Sequence, residues 1–152
     1  MKKANNNQLM ISEVNEVYLK RGQKKVTVAG PLNSPDEVVN VLRQMWGDDM
    51  DVVESFFIIT LDVGNRVLGW AKISQGGISR TTIDTRIIAK TAIDALASGV
   101  IVAHNHPSGL LNFSTVDIKT TKTIKKALEL FEITLLDHIL LTEDGYKSYM
   151  EM

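Results

Sequence analysis

Residues 100–117 read Val-Ile-Val-Ala-His-Asn-His-Pro-Ser-Gly-Leu-Leu-Asn-Phe-Ser-Thr-Val-Asp. The first four residues are apolar and mostly β-branched, which is typical of a buried strand. Pro107, Ser108 and Gly109 are expected to break that strand, and a helical pattern begins at residues 114–117. The segment therefore predicts a central strand, a tight turn and the first turn of a helix.

Two histidines, His104 and His106, stand two residues apart at the end of the predicted strand. Side chains at that spacing project from the same face. Asp117 returns a carboxylate on the next element, on the helical face that also carries Thr121, Ile124, Leu128 and Phe131. An inward-facing carboxylate is costly unless a cation or hydrogen-bond donors meet it. Two imidazoles and a carboxylate suit zinc, with a fourth position left for water.

Each of these residues could also have a purely structural role. A single histidine in a strand is more often a core or surface residue than a metal ligand. Ser114 and Asp117 match the [ST]-x-x-[DE] pattern of a capping box, which needs no chemistry. Two features favour a metal site: the inward-facing carboxylate, and the carboxyl end of a central strand, where open α/β sheets place their sites.

The composition narrows the classes of protein. The chain has 152 residues, a net charge of -1 and no cysteine, so disulfides, thiol catalysis and thiolate-bound zinc are excluded. The net charge gives no global reason to expect nucleic acid or an anionic membrane as a partner. The start of the sequence lacks the apolar region of a signal peptide, and no apolar run approaches the ~20 residues that span a bilayer. A cytoplasmic location is expected.

The rest of the sequence predicts one α/β domain over residues 10–152, after a polar lead at 1–9. Ser34, Pro35 and Glu37 predict a capped helix start, and Asp84 or Thr85 predicts a second. The third helix is expected over 115–131. Further strands are predicted at 10–19, 25–29, 56–61, 67–73 and 133–141, with a short strand ending near Met150. The expected fold is a mixed β-sheet with three main helices packed on it.

His104-x-His106, seven intervening residues, Ser114, two residues and Asp117 resemble the H-x-H-x7-S-x2-D motif of the JAB/MPN (JAMM) metalloprotease domains. The run from His104 to Gly109, together with Leu136-Asp137-His138, resembles the RadC-like branch, whose members are often labelled DNA repair proteins. The similarity extends over about residues 34–148. It implies the layered MPN/JAB architecture, which is like that of cytidine deaminases.

The resemblance also implies functional roles. His104, His106 and Asp117 would bind one Zn²⁺ per chain, with a water molecule as fourth ligand and nucleophile. Glu54, just before the first strand of the hairpin, would be the general base, and Ser114 would stabilise the oxyanion. The implied activity is zinc-dependent hydrolysis of peptide or isopeptide bonds. Spacing alone does not select Glu54, because a glutamate at a strand end is usually solvated.

Asp137 and His138 point to opposite faces of their strand, and two interpretations stay open. One of them could hydrogen-bond a zinc-binding histidine, or the two could form a buried, hydrogen-bonded pair in the core.

Three functions compete. The first is the zinc hydrolase, acting on a peptide or protein substrate. The second is a catalytically silent MPN-type scaffold or partner-binding protein associated with DNA repair or metabolism. The third, a metal nuclease, rests on the letters His-Asn-His and on a lysine stripe that we interpret as a solvated helix face: Lys119, Lys122, Lys125 and Lys126. Nucleic acid therefore stays an open question as a partner, a homodimer is a further alternative, and no membrane partner is expected.

Overall fold

The computed structural model describes residues 22–76 and 83–152. The polar lead predicted at 1–9 and the strand predicted at 10–19 lie outside these ranges, so the domain boundaries stay a prediction. The described residues form three helices and five strands. In chain order these are α1 (Pro35–Met45), β1 (Ser55–Leu61), β2 (Val67–Gln75), α2 (Thr85–Asp94), β3 (Gly99–Asn105), α3 (Thr115–Glu129), β4 (Thr134–Leu141) and β5 (Tyr146–Ser148).

The strands form one mixed sheet in the order β2-β1-β3-β4-β5. β1 and β2 make the predicted antiparallel hairpin, β1 also pairs antiparallel with β3, and β3 pairs parallel with β4. The parallel pair is joined by α3, as parallel strands require a crossover. β3 is therefore the central strand that its apolar run predicts, with all seven residues buried. The α/β fold class and mixed sheet are confirmed.

The two faces of the sheet carry separate hydrophobic clusters. On one face, residues of α1 pack against alternate residues of the strands, among them Phe57, Ile101 and Ile139. On the other face, α2 and α3 pack against the remaining strand positions, including Phe56 and Val102. Because strand side chains alternate between faces, His104 belongs to the α2–α3 face with Val102, whereas Asn105 belongs to the α1 face.

The helix starts follow the predicted caps. Ser34 caps α1 in a complete capping box with Glu37, with Pro35 in the first turn, and Asp84 caps α2 through a bond from the Arg86 amide. Ser114 and Asp117 form the capping box of α3. Each cap satisfies amides that the first helical turn leaves without partners. The third box also fixes the position of a candidate metal ligand.

One predicted strand and one predicted helix end are wrong. Residues 25–29 have no regular secondary structure and join no strand among the described residues, because the Gln44 side-chain amide bonds the Thr27 amide (2.8 Å) and carbonyl (2.9 Å) in place of a neighbouring strand. α3 ends at Glu129, and Phe131, predicted on its inward face, is 51% exposed. The chain turns there, with Glu132 at φ 57°, to bring Ile133 into the core.

No helix in the described ranges is both long and apolar enough to cross a lipid bilayer.

Candidate metal centre

The end of β3 brings two imidazoles together on the α2–α3 face of the sheet. His104 lies in the strand and is 1% exposed, and His106 follows immediately after the strand ends. Their Nε2 atoms are 3.1 Å apart. The turn that follows is closed by a bond from the Gly109 amide to the His106 carbonyl (3.0 Å). Gly109 has φ 76°, a conformation that favours glycine.

The first turn of α3 brings the third candidate ligand to the same place. Asp117 Oδ1 lies 3.5 Å from His104 Nε2, and Asp117 Oδ2 lies 3.5 Å from His106 Nε2. The three ligand atoms all lie within 4.8 Å of one another. Tetrahedral zinc with bonds of about 2.0–2.1 Å separates its ligand atoms by about 3.3–3.4 Å. The predicted His-His-Asp group is therefore close to the spacing that a single zinc ion requires.

The hydrogen bonds made by Nδ1 of His104 and of His106 determine which nitrogen of each ring faces the candidate metal site. Thr121 Oγ1 donates to the Asp117 carbonyl (2.7 Å), so it accepts from His138 Nδ1 (2.6 Å). His138 Nε2 is then the acceptor for His104 Nδ1 (2.7 Å). His106 Nδ1 donates to the Leu110 carbonyl (2.9 Å). Both Nε2 atoms are left toward the candidate site, which is the tautomer that metal binding needs.

This chain of bonds separates the roles of Asp137 and His138. His138 is the buried partner of His104, the first of the two alternatives that the sequence left open. Asp137 lies on the other face of β4, where it accepts from Ser148 Oγ (2.6 Å) and from the Met150 amide (3.2 Å). Its only bond to His138 is from that residue's backbone amide (2.7 Å). Asp137 therefore anchors the C-terminal segment and takes no direct part in the site.

The charges of the group agree with its geometry. The Asp117 carboxyl is desolvated, which by itself raises its pKa, but the adjacent imidazoles of His104 and His106 outweigh this and hold the pKa well below its usual range. The hydrogen bond to Asp117 raises the pKa of His106, against the effect of burial. Burial lowers the pKa of His138 well below its usual value, with the nearby His104 acting in the same direction. The Asp117 carboxylate thus favours positive charge at this position.

Two of the three candidate ligands are partly exposed. The side chains of His106 and Asp117 are 17% and 16% exposed, whereas that of His104 is 2% exposed. Phe113 closes the inner side, with its ring 5.9 Å from that of His104 and 5.2 Å from that of His138. Solvent or a substrate can therefore approach from the side of His106 and Asp117.

Glu54 lies at the same edge of the sheet. Phe56 pairs with His104 in the antiparallel register of β1 and β3, and extending that register by two residues puts Glu54 beside His106. Consistent with this placement, the Glu54 charge is one of the causes that raise the pKa of His106. Strand register thus brings to the site the Glu54 carboxylate, which sequence spacing alone does not select.

Ser114 is occupied by its capping role. Its hydroxyl donates to Asp117 Oδ2 (2.7 Å), and its oxygen accepts from the Asp117 amide (3.1 Å). The Ser114 amide donates to the same carboxylate oxygen (2.7 Å). These bonds orient Asp117 with its Oδ1 atom toward His104. Ser114 therefore lies next to the candidate ligands, and its hydroxyl proton is directed at Asp117.

Two residues of the site, Thr121 and Phe113, were not predicted from the sequence as members of it. Thr121 was placed on the inward face of α3 but given no role. Thr121 is a polar residue on the inward face of α3, one turn after Asp117, and this position was the signal that could have indicated a role in the site. The signal for Phe113 was weaker, because an aromatic residue near a turn more often packs against the core than closes a metal site.

Known proteins resemble this chain over most of its length. The family model of the RadC-like JAB domain matches residues 32–152. A UPF0758 protein of Flavobacterium johnsoniae is 41% identical over 98 residues, covering 64% of this chain and 43% of the relative. UPF0758 proteins of Chromobacterium violaceum and Finegoldia magna are 34% and 35% identical, covering 84% and 88% of this chain and 56% and 59% of those relatives. The chain spans about half the length of these curated relatives. The family match over residues 32–152 shows that the chain belongs to the RadC-like JAB domain family.

Proposed function

We propose that the protein is a zinc-dependent hydrolase of peptide or isopeptide bonds. The observation that carries this proposal is the convergence of His104 Nε2, His106 Nε2 and the Asp117 carboxylate: the two nitrogens are 3.1 Å apart, and each lies 3.5 Å from one of the two carboxylate oxygens. The preset tautomers of both histidines support the same conclusion. Nitrogen and carboxylate oxygen ligands with an open fourth position are typical of catalytic zinc.

His104, His106 and Asp117 would hold the zinc ion, and Glu54 and Ser114 would act around it. When bound, zinc supplies a Lewis acid and lowers the pKa of a bound water to about 7. Glu54, beside His106, would take a proton from the attacking water and pass it to the leaving amine. Such a general base typically contributes about 10²–10⁴-fold. Ser114 would turn its hydroxyl away from Asp117 and donate a hydrogen bond to the developing oxyanion, which stabilises it.

The contacts of the His-Asn-His segment weigh against the nuclease alternative. Asn105 is buried on the opposite face from the two histidines, and its amide is bonded to backbone groups of residues 50, 53 and 55. It is thus directed away from any substrate at the metal centre. The four lysines of α3 are exposed, as expected for a solvated helix face. The contacts of Asn105 support a hydrolase of amide bonds over a nuclease.

Metal analysis of the purified protein tests the proposal. We expect about one zinc per chain, and near-complete loss of zinc in His104→Ala, His106→Ala and Asp117→Ala. Glu54→Gln should keep the zinc. Incubation with a mixture of unstructured peptides and lysine-branched isopeptides, followed by mass spectrometry, should show cleavage by the wild type that Glu54→Gln lacks.

Two results would contradict the proposal. A wild-type protein that stays metal-free after zinc dialysis would remove its chemical basis. A zinc-loaded wild type that cuts none of the peptides would favour the MPN-type scaffold associated with DNA repair or metabolism, with zinc in a structural role.

A further inference from the structure

The buried amide of Asn105 joins the strand that carries the histidines to the segment that carries Glu54. Asn105 is 0% exposed and lies between His104 and His106 at the end of β3. Its Oδ1 accepts from the Ser55 amide (2.7 Å). Its Nδ2 donates to the Val53 carbonyl (2.9 Å) and to the Met50 carbonyl (2.6 Å). One side chain thus makes three hydrogen bonds to a segment about 50 residues earlier in the sequence.

These bonds bracket Glu54 itself. The Val53 carbonyl lies immediately before Glu54 and the Ser55 amide immediately after it, so the Asn105 amide bridges the backbone on both sides of that residue. The Glu54 carbonyl is held independently by the Gly76 amide (2.9 Å) at the end of β2. The backbone of Glu54 is thereby tied to β3 and to the end of β2.

We propose that Asn105 is a positioning residue that fixes the Glu54 carboxylate relative to His104 and His106. This inference rests on the proposed function, since it assigns to Asn105 the placement of the general base. Asn105 shares β3 with His104 and directly precedes His106, so its bonds transmit the position of those ligands to Glu54. A base must stand within hydrogen-bond reach of the proton it takes, and an error of about 1 Å can cost about 10²-fold in rate.

The physical reason for an amide at this position is that it matches all three backbone groups. Two carbonyls need donors and one amide needs an acceptor, and an asparagine side chain supplies two N–H donors and a carbonyl oxygen. An aspartate would set a carboxylate against two carbonyls, and an alanine would remove the partner of the buried Ser55 amide and of two partly buried carbonyls.

The test compares Asn105→Ala, Glu54→Gln and the double variant in zinc-loaded protein. The readout is the binding of acetohydroxamate, followed by calorimetry. A hydroxamate that binds a zinc centre passes a proton to a neighbouring base, so its affinity reports where the Glu54 carboxylate stands. We expect Asn105→Ala and Glu54→Gln each to weaken binding about 10–100-fold. The double variant should match Glu54→Gln, because residues that act through one group are non-additive.

Two further measurements separate positioning from a general loss of structure. Zinc affinity should be unchanged in Asn105→Ala, since its side chain contacts none of the three candidate ligand groups. Hydrogen exchange of the Ser55 amide should accelerate in this variant, even in metal-free protein. Thr60→Val is the matched control, because Thr60 is also buried in the sheet and its hydroxyl donates to the Gly69 carbonyl (3.1 Å). That variant should lose stability and keep hydroxamate affinity.

The outcomes are distinct. If Asn105→Ala binds acetohydroxamate as the wild type does, or if its effect adds fully to that of Glu54→Gln, the positioning role is refuted while the hydrolase proposal stands. If the wild type takes up no zinc, the proposed function fails and the inference that rests on it fails too. Where a cleaved peptide is found, Asn105→Ala should lower kcat and leave KM unchanged.

Discussion

Replacing His138 with phenylalanine should weaken zinc binding without removing a ligand. His138 Nε2 accepts a hydrogen bond from His104 Nδ1 (2.7 Å). Among the described residues it is the only acceptor for that nitrogen. Without that acceptor, His104 is free to adopt the tautomer whose proton sits on Nε2, where the metal would bind. Loss of such an outer partner typically costs about 10–100-fold in metal affinity, which corresponds to about 1.4–2.8 kcal/mol.

The metal-free protein should also lose stability. In His138→Phe the Nδ1 atom of His104 stays buried, at 1% exposure, and has lost its hydrogen-bond partner whichever tautomer His104 adopts, which costs about 1–3 kcal/mol. Phenylalanine keeps the aromatic packing, because the His138 ring lies 5.5 Å from that of Phe56 and 5.2 Å from that of Phe113. The fold should therefore survive the change.

Competition with a chromophoric chelator measures zinc affinity, and urea unfolding of metal-free protein measures stability. Thr121→Val removes the acceptor for His138 Nδ1 (2.6 Å) and should give a smaller loss of zinc affinity in the same direction. Asp137→Asn is the matched control, since Asp137 is the neighbouring buried residue of β4 and its side chain faces away from His104. Wild-type zinc affinity in folded His138→Phe, or an equal loss in Asp137→Asn, would refute the tautomer mechanism.

The remaining predictions concern pH and stability. In metal-free protein, the contribution of His106 should be complete below pH 6.5 and disappear as pH rises through its raised pKa, so the unfolding free energies of wild type and His106→Gln should converge at alkaline pH. The lowered pKa of Asp117 gives the opposite pH dependence. The contribution of Asp117 to the free energy of unfolding should decline as pH falls below 3.8, so the unfolding free energies of wild type and Asp117→Asn should converge in acid. Ser34→Ala removes the cap of α1 and should cost about 0.5–2 kcal/mol in urea unfolding, whereas Leu42→Ala, at a fully buried position, should cost about 2–5 kcal/mol.

Much of the candidate site was predictable because its ligands are set by local geometry. The two-residue spacing of His104 and His106 places both on one face of a strand, whatever the strand pairs with. The capping box of Ser114 and Asp117 orients the carboxylate at the helix start by bonds within four residues. Helical periodicity likewise placed Thr121 inward. In each of these cases the interacting residues are close in sequence, so the local residue pattern is enough to predict where the side chain lies.

Other features depended on contacts between distant segments. The segment at 25–29 has a strand-like pattern, but the side chain of Gln44 in α1 bonds the Thr27 backbone there. His138 and Asp137 are adjacent in sequence and both polar, yet only the position of β4 beside β3 directs one of them to His104. Neither outcome follows from propensity, because each depends on which element lies alongside.

The amino-acid sequence by itself determined the helix caps, the central apolar strand and the three candidate zinc ligands, since these follow from backbone periodicity over a few residues. Only the tertiary structure decided that Glu54 stands beside His106, that His138 selects the tautomer of His104, and that Asn105 anchors the Glu54 segment. The physical reason is strand register: pairing β1 with β3 and β3 with β4 brings together residues that lie 34 to 55 positions apart in the chain.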